Sequence, residues 1–568
     1  MAEIKDKIYS YHNFIFPFIW ENHETKANEK ESIERFFENN KYWKSINLDN
    51  SKLSKEEWID LYSRNEYFHP SFREAILGYN AAFERDKSIV SHYKFDQEML
   101  RRGAEYIIVK SYSETSGSKK DNVEIKKKEY HLDISGISIK IFNTGIAILI
   151  LECLNHQYQK IQDIKWINDY GRRISLPFVP IGGDEISCTY SICADSLTVR
   201  IPGAPGNVDL MNVTESFLEQ IREIHQQKNF SMKDIQERSN HVCEWICELF
   251  RIGNGNRSPF SNGTDKNNEI QIHPALDERM YVMCLINSEK AGEKGDLIEQ
   301  IFSDTEEAKK VRELESDWMK WMDKSQQEVL YKLAFVDAKD CTCQSDMMRE
   351  ELLRKSIYDR WIKYGTIYTV TPQAFMCISN DGITIKSFRN MYLDMCVLVL
   401  VQRASLINFQ NIALRLSKGL ERIGEVIDTK KIIKLMDLQE RFIAFQNQIN
   451  LQEISSQEQA VELYEKLKKA SYVEELTGAM KEQLDALYDA TNTNQDFSFN
   501  KWALLFAIVS LGIDAPGYLM NADGKFSLIP IKNGVFQLMQ AIPYEIILII
   551  TVVIFINVFC RFKRKKKK

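Results

Sequence analysis

The sequence predicts an α+β cytoplasmic domain, followed by long stalk helices and two transmembrane helices near the C-terminus. Three observations carry this prediction. Two apolar runs close the chain, and the second is followed by RFKRKKKK. A striped helical pattern leads almost directly into the first run. Upstream of about Asp381, runs rich in β-branched residues alternate with helical ones. The expected segments are 1–381 as an α/β sensor domain, 382–498 as a helical stalk, and 499–568 as a transmembrane hairpin with a short outer loop and a basic tail.

A chain of 568 residues is long enough for two or more folded units. A net charge of -6, with 27% charged residues, gives no nucleic-acid coat, so nucleic acid is not an expected partner. The opening MAEIKDKIYSYHNFIF lacks the apolar core and small-residue cleavage site of a signal peptide. Eleven cysteines are scattered, and the nearest pairs are Cys341 with Cys343 and Cys243 with Cys247. Neither has a second pair or histidines at zinc-ligand spacing, so reduced thiols in a reducing compartment are expected. No nucleophile–base motif, metal-ligand cluster or telling carboxylate pair stands out, so the protein is not expected to be an enzyme.

Taken in order, the first hundred residues read as helical. Ser54 with Glu57, and Ser71 with Glu74, have capping-box spacing. From about Glu105 the pattern turns to strands: EYIIVKSY, EYHLDISGISIKIF and GIAILILECL, with SETSGSKKDN as a loop. A helical run, QYQKIQDIKWINDYGRRI, comes next. ISCTYSICADSLTVRI and ERMYVMCLIN read as strand-like, and TESFLEQIREIHQQK and MKDIQERSNHVCEWICELF as helical. Residues 251–268, containing GNGNRSPFSNGTDKNN, read as a loop.

Beyond 382 the chain reads as helical. MYLDMCVLVLV, Met391 to Val401, is too short to span a bilayer and reads as a buried helix. A helix is expected from Ser455, capped with Glu458, to Ala490. Its stripe is Ala460, Leu463, Leu467, Ala470, Val473, Leu476, Met480, Leu484 and Leu487. Unbroken, it would be roughly 50 Å long at 1.5 Å per residue. TNTNQDFSFN follows as a break or hinge.

Trp502 to Met520 and Tyr544 to Cys560 are the two candidate spans. A span needs about 20 mainly apolar residues, and about 17 at the least. The first meets this only with Asp514 inside it, and its other reading is a buried core helix. The basic tail belongs on the cytoplasmic side. With two spans the N-terminal part is then cytoplasmic too, in an inner (plasma) membrane protein. An ionisable group such as Asp514 in a bilayer usually faces a bundle interior or a water-filled path. A ring of such carboxylates attracts cations. The plainer reading hydrates Asp514 at the outer interface.

This order of elements resembles the CorA family of divalent-cation channels and transporters, over roughly residues 385–568. The family's Gly-Met-Asn signature falls where this chain has GIDAPGYLMNADG. Met520 and Asn521 match its last two positions, Leu519 replaces the glycine, and the nearest glycine is Gly517. The resemblance implies a homo-pentamer in a lipid bilayer, with the first span lining a pore for magnesium or another divalent cation. The pore positions it implies are Asp514, Gly517, Tyr518, Met520 and Asn521. The family's acidic outer segment is absent, since no glutamate precedes Glu545 in the loop, which puts magnesium selectivity in question.

The sensor domain is larger than that of usual magnesium transporters. Its run INDYGRRISLPF, Ile167 to Phe178, contains Asn168, Arg172 and Arg173 as candidate ligand-binding residues. Arginine pairs suit phosphate or carboxylate because the guanidinium is a planar fork of donors. Their plain alternative is charge complementing a helix C-terminus. The overall shape also resembles the divergent CorA-like proteins that accompany type III CRISPR systems. That resemblance implies an antiviral effector opened by a nucleotide messenger, S-adenosylmethionine joined to AMP (SAM-AMP). No Gly-rich phosphate loop marks a nucleotide site. Glu462, Glu474, Glu475 and Asp485 read either as divalent-ion ligands between subunits or as a solvated helix face. A third reading is a cytoplasmic scaffold or enzyme held by an inert hairpin.

Overall fold

The structure is a computed structural model. It describes residues 7–490 except 23–29, 39, 47–54, 79–88, 116–122, 177–188, 204–208, 227–240, 255–259, 262–269, 314–317, 339–340 and 419–428. It is mixed α/β, with a large sheet and long helices. Its centre is β1 (Ser10–Asn22), β6 (Ala147–Asn155) and β11 (Tyr281–Asn287). To one side of β6 lie β5 (Val123–Phe142), β4 (Glu105–Thr115), β7 (Ser196–Ile201) and β8 (Met211–Ser216). Beyond β11 lie β14 (Ala374–Ser379), β13 (Ile367–Val370) and β12 (Ile357–Tyr358). Two branches join this path. In one, β2 (Trp43–Ser45) pairs with β3 (Val90–Phe95), and β3 with β5. In the other, β9 (Phe260–Ser261) pairs with β10 (Ile270–Pro274), and β10 with β1. The pairings are antiparallel except β11–β14 and β9–β10, which are parallel.

The helical expectation for the first hundred residues is corrected by β1. SYHNFIFPFIWEN shows no alternation because both its faces are covered: every residue from His12 to Phe18 is buried. A strand buried on both faces reads as a continuous apolar run, and so hides its period. Pro17 fits because of where it stands. On that edge β1 pairs with β11 through Ile15 and with β10 from Phe18, and the Pro17 carbonyl accepts from Ala275 N at 3.0 Å. The missing N–H therefore falls at the gap between two partner strands. Likewise β5 exchanges β4 for β3 across an irregularity between Ile134 and Gly136.

Other expectations need smaller corrections. The run at 186–201 is helical at 189–192 and extended only from Ser196. The 251–268 loop contains β9. Ser71 lies inside helix Pro70–Leu77, whose N-cap is His69.

Five helices matter below: α1 (Lys55–Tyr67), α2 (Ile161–Gly171), α3 (Lys324–Ala334), α4 (Leu393–Ser417) and α5 (Glu458–Ala470). The expected buried helix 391–401 falls in α4 from Leu393 onward, its first two residues lying in the π-helical turn before it. With the turns before it, Gly382–Ser417 is, among the described residues, the one helix long and apolar enough to cross a membrane. The structure buries 89% of its most apolar stretch, which makes it a core helix by environment. Both spans expected from the sequence lie outside the described residues, as do the outer loop, the hinge and the tail.

The single helix expected over 455–490 is broken. Ser455 does not cap it: its Oγ donates to the Tyr67 carbonyl and accepts from Gln457 N, and α5 begins at Glu458. α5 ends at Ala470, Tyr472 takes a left-handed φ of 56°, and a second helix runs over 473–490. The stripe's burial continues across the break at Val473 and Met480. The break therefore leaves no mark in the periodicity.

Backbone contacts divide the chain into two units, Met1–Asn411 with Gln439–Lys481, and Ile412–Leu438 with Glu482–Lys568. The site below lies wholly in the first.

A candidate site at the end of a buried helix

Helix α2 is unusual for a helix flanking a sheet: Asp163, Lys165, Asn168 and Asp169 are buried along with its apolar residues. Charged residues inside are rarely left unpartnered, and here Asp163 accepts from Lys128 and Tyr130 and Asp169 from Arg172. Its last residue, Gly171, lets the backbone approach the sheet closely. A Cβ there would stand 2.8 Å from both Ile108 Cδ1 and Phe14 Cζ. Tyr106 Oη donates to the Gly171 carbonyl at 2.6 Å and fixes that approach.

The three candidates from INDYGRRI diverge from this point. Asn168 turns into the sheet, where its Oδ1 bonds His12 Nδ1 at 2.7 Å and its Nδ2 approaches Met376 Sδ at 3.9 Å. His12 is fully enclosed, and its other nitrogen meets Ser10 Oγ at 2.8 Å. Burial lowers its pKa to about 4, against the opposing pull of the Asn168 bond, so His12 is neutral. Asn168 is thus bound within the core.

Arg172 is also committed internally. Its Nη2 donates to Asp169 Oδ1 at 3.1 Å and to the Val336 carbonyl at 2.9 Å, and its Nη1 to Gln373 Oε1 at 2.9 Å. Burial lowers its pKa to about 10. Asp169 opposes that shift, and the nearby Arg173 and Arg279 add to it. Val336 follows the end of α3 and has φ 53°, a left-handed conformation that a β-branched side chain rarely adopts. Asp169 Oδ2 accepts from Ala338 N at 3.3 Å, so the ion pair holds the segment after α3 from two sides.

Arg173 differs. Its residue is 5% exposed, and among the described residues its side chain's one hydrogen bond runs from Nε to the Ile192 carbonyl, at 3.0 Å. Lys110 reaches the same turn, donating to the carbonyls of Tyr190 and Cys193, with its Nζ 4.9 Å from the Tyr170 ring centre. Arg279 is paired in register with Arg173 and binds Asp277 through Nε at 2.9 Å. Four cations thus gather at this end of α2.

The β13–β14 turn connects this end to the helices. Gln373 receives Arg172, while the neighbouring Pro372 carbonyl accepts from Arg403 Nη1 of α4 at 3.0 Å. Thr371 Oγ1 donates to the Ala334 carbonyl at 3.0 Å. Next to Arg403, Gln402 Nε2 bonds Tyr464 Oη of α5 at 2.8 Å, and that hydroxyl donates to the Leu451 carbonyl at 2.7 Å. His12, Lys110, Val336, Gln373 and Arg403 were not singled out in the sequence. Only a polar residue inside an apolar run, as for His12, offered any signal.

Of the stalk acids, Glu462 accepts from Tyr358 and Arg360, and Glu474 lies 3.5 Å from Lys468. Glu475 and Asp485 are exposed. Among the described residues no group of three or more His, Cys, Asp or Glu could hold a metal ion. Asp514, Gly517, Tyr518, Met520 and Asn521 lie outside the described residues. No family model, curated protein or solved structure matches the chain.

Proposed function

We propose that this chain is a CorA-like oligomeric cation channel, a pentamer in the cytoplasmic membrane, opened from its cytoplasmic domain by a small ligand. The observation that carries the gating is the β13–β14 turn, held by Arg172 on one side and by Arg403 of α4 on the other. A ligand that displaces the end of α2 pulls on Gln373, and the adjoining carbonyl is the anchor of α4. Gln402 and Tyr464 extend the same chain of contacts to α5. The support for the pore is sequence alone: two apolar segments, Asp514 inside the first, and Met520–Asn521 at its outer end.

In this reading the spans of all subunits surround the axis. Asp514 and Asn521 offer rings of oxygen to a hydrated cation, and Gly517, Tyr518 and Met520 line the mouth. The chemistry is electrostatic and needs no covalent step. The ligand moves the equilibrium only by its differential affinity for the open and closed states. A swing from 1:99 to 99:1 needs about 5.5 kcal/mol. Shared among five subunits, that is about 1 kcal/mol each, within the worth of one charge-assisted hydrogen bond. The ligand we favour is a nucleotide messenger such as SAM-AMP, which makes the protein a membrane effector of antiviral defence.

The test is ion flux from proteoliposomes holding the purified protein, with no addition, with excess magnesium, and with SAM-AMP. Flux that requires the nucleotide supports the effector reading. Flux that magnesium suppresses supports magnesium feedback instead. No flux from a correctly inserted oligomer under any condition overturns the channel.

A further inference from the structure

We propose that the guanidinium edge of Arg173 is a binding site for a phosphoryl group. The Arg173 guanidinium has far more donors than partners among the described residues. A guanidinium has five N–H donors. Here one of them is used among the described residues, on a side chain whose residue is 95% enclosed (5% exposed). A buried charge without counter-charge or hydrogen bonds is strongly unfavourable, so a site that keeps one has something to bind.

The neighbours show that the imbalance belongs to Arg173 itself. Arg172, one residue earlier, is saturated by Asp169, Gln373 and the Val336 carbonyl. Arg279 is bound by Asp277 and lies 3.7 Å from Glu278. Arg173 has no acid within ion-pair distance among the described residues. Its Nε bond to Ile192 fixes the plane of the guanidinium, leaving the Nη1–Nη2 edge as a preset fork. Such a fork matches two oxygens of one anion. Lys110 adds a second positive charge at the same turn, through its bonds to the Tyr190 and Cys193 carbonyls. Two cations at one turn favour a phosphoryl dianion over a carboxylate. This deepens the gating reading and rests on it for the effect of the ligand, although binding itself needs no pore.

The test uses the full-length protein in detergent micelles at low salt. Calorimetric titration with AMP, inorganic phosphate and acetate is expected to give saturable binding of AMP or phosphate, and at least tenfold weaker binding of acetate. Arg173→Gln should weaken the phosphate-bearing probe at least tenfold with an unchanged thermal midpoint, and Arg173→Lys should retain a part of it. Arg102→Gln, an exposed control, should bind as wild type does. Should the variants fold poorly, phenylglyoxal labelling of the wild type decides: AMP should protect Arg173, read by peptide mass mapping. Absence of saturable binding, acetate binding as tight as phosphate, or Arg173 labelling unchanged by AMP overturns the site. Loss of binding with flux intact sinks this site alone. Binding without any flux sinks the channel reading alone.

Discussion

Replacing Asp394 with asparagine should cost more stability than any exposed change in the protein. Asp394 stands in the first turn of α4 and is 5% exposed. Its Oδ1 accepts from Lys140 Nζ of β5 at 3.0 Å, and its Oδ2 lies 3.1 Å from Arg64 Nη1 of α1. Lys140 also donates to the Ile76 carbonyl at 3.0 Å. Burial pushes the Asp394 carboxyl up, but Lys140 and Arg64 outweigh it and hold the carboxyl below its usual range. Lys140 is drawn below the usual lysine range by burial, against the pull of Asp394. The acid thus gains from the cluster and the ammonium loses. With Asp394 between two cations, the ionised arrangement is the one that stands.

Asp394→Asn removes the only carboxylate of this triad and leaves Lys140 enclosed without a counter-charge, at a cost of about 3–5 kcal/mol. At roughly 2–4 °C per kcal/mol for a large domain, the thermal midpoint should fall by about 6–20 °C. The assay is thermal unfolding in micelles, followed by tryptophan fluorescence. The pH dependence has a definite sign. The folded pKa of Asp394 is depressed, so its contribution is present above about pH 4 and is lost as pH falls through the folded value. The variant's deficit should therefore hold from pH 5 to 8 and shrink in acid. The double change Lys140→Met with Asp394→Leu should recover most of the loss, because an apolar pair can replace a buried ion pair. A midpoint for Asp394→Asn within about 2 °C of wild type would refute the reasoning.

Three further outcomes follow from the same structure. His12 takes up its proton near pH 4 when folded and near 6.5 when unfolded, so stability should fall by about 3 kcal/mol from pH 6.5 to 4; His12→Gln should flatten that part of a urea-midpoint profile. Gly171→Ala forces a methyl to within 2.8 Å of Ile108 and Phe14, and should cost about 1–3 kcal/mol in urea unfolding. Burial pushes the thiols of Cys193 and Cys284 up, to about 11 and about 12, while Cys341 is partly exposed. Mass mapping of a brief alkylation of the folded protein should therefore find Cys341 labelled well ahead of those two.

Strands with one exposed face showed their period openly, so β4, β7 and β5 over 129–135 were legible in the sequence, whereas the start of β5 at 123–128 was not read. β1 was not: enclosure on both faces erases alternation, and Pro17 interrupts its apolar run, whereas the unbroken β-branched runs of β6 and β11 were legible although equally enclosed. INDYGRRI was legible as an arginine-bearing helix end, but the division of labour within it was not. Whether Arg172 or Arg173 is saturated depends on Gln373 and Val336, which are far away in sequence. The bond between His12 and Asn168 joins positions 156 apart, which no local pattern announces. The break at Tyr472 escaped because the apolar stripe keeps its steps of three and four through the left-handed residue.

The place of β1 also bears on how the chain is made. Of the described strands, the one earliest in the sequence lies at the middle of the sheet, and its partner β11 is encoded about 270 residues later. At 5–20 residues per second, that strand waits roughly 15–50 s for its second neighbour. Through that interval it presents SYHNFIFPFIWEN with one edge open, the kind of segment that holding chaperones cover. Every described strand of the sheet is nonetheless encoded before residue 380. The whole sheet can therefore close while the apolar segments at 502–520 and 544–560 are still being synthesised. In the proposed channel, closure of the sheet then precedes insertion of those two segments.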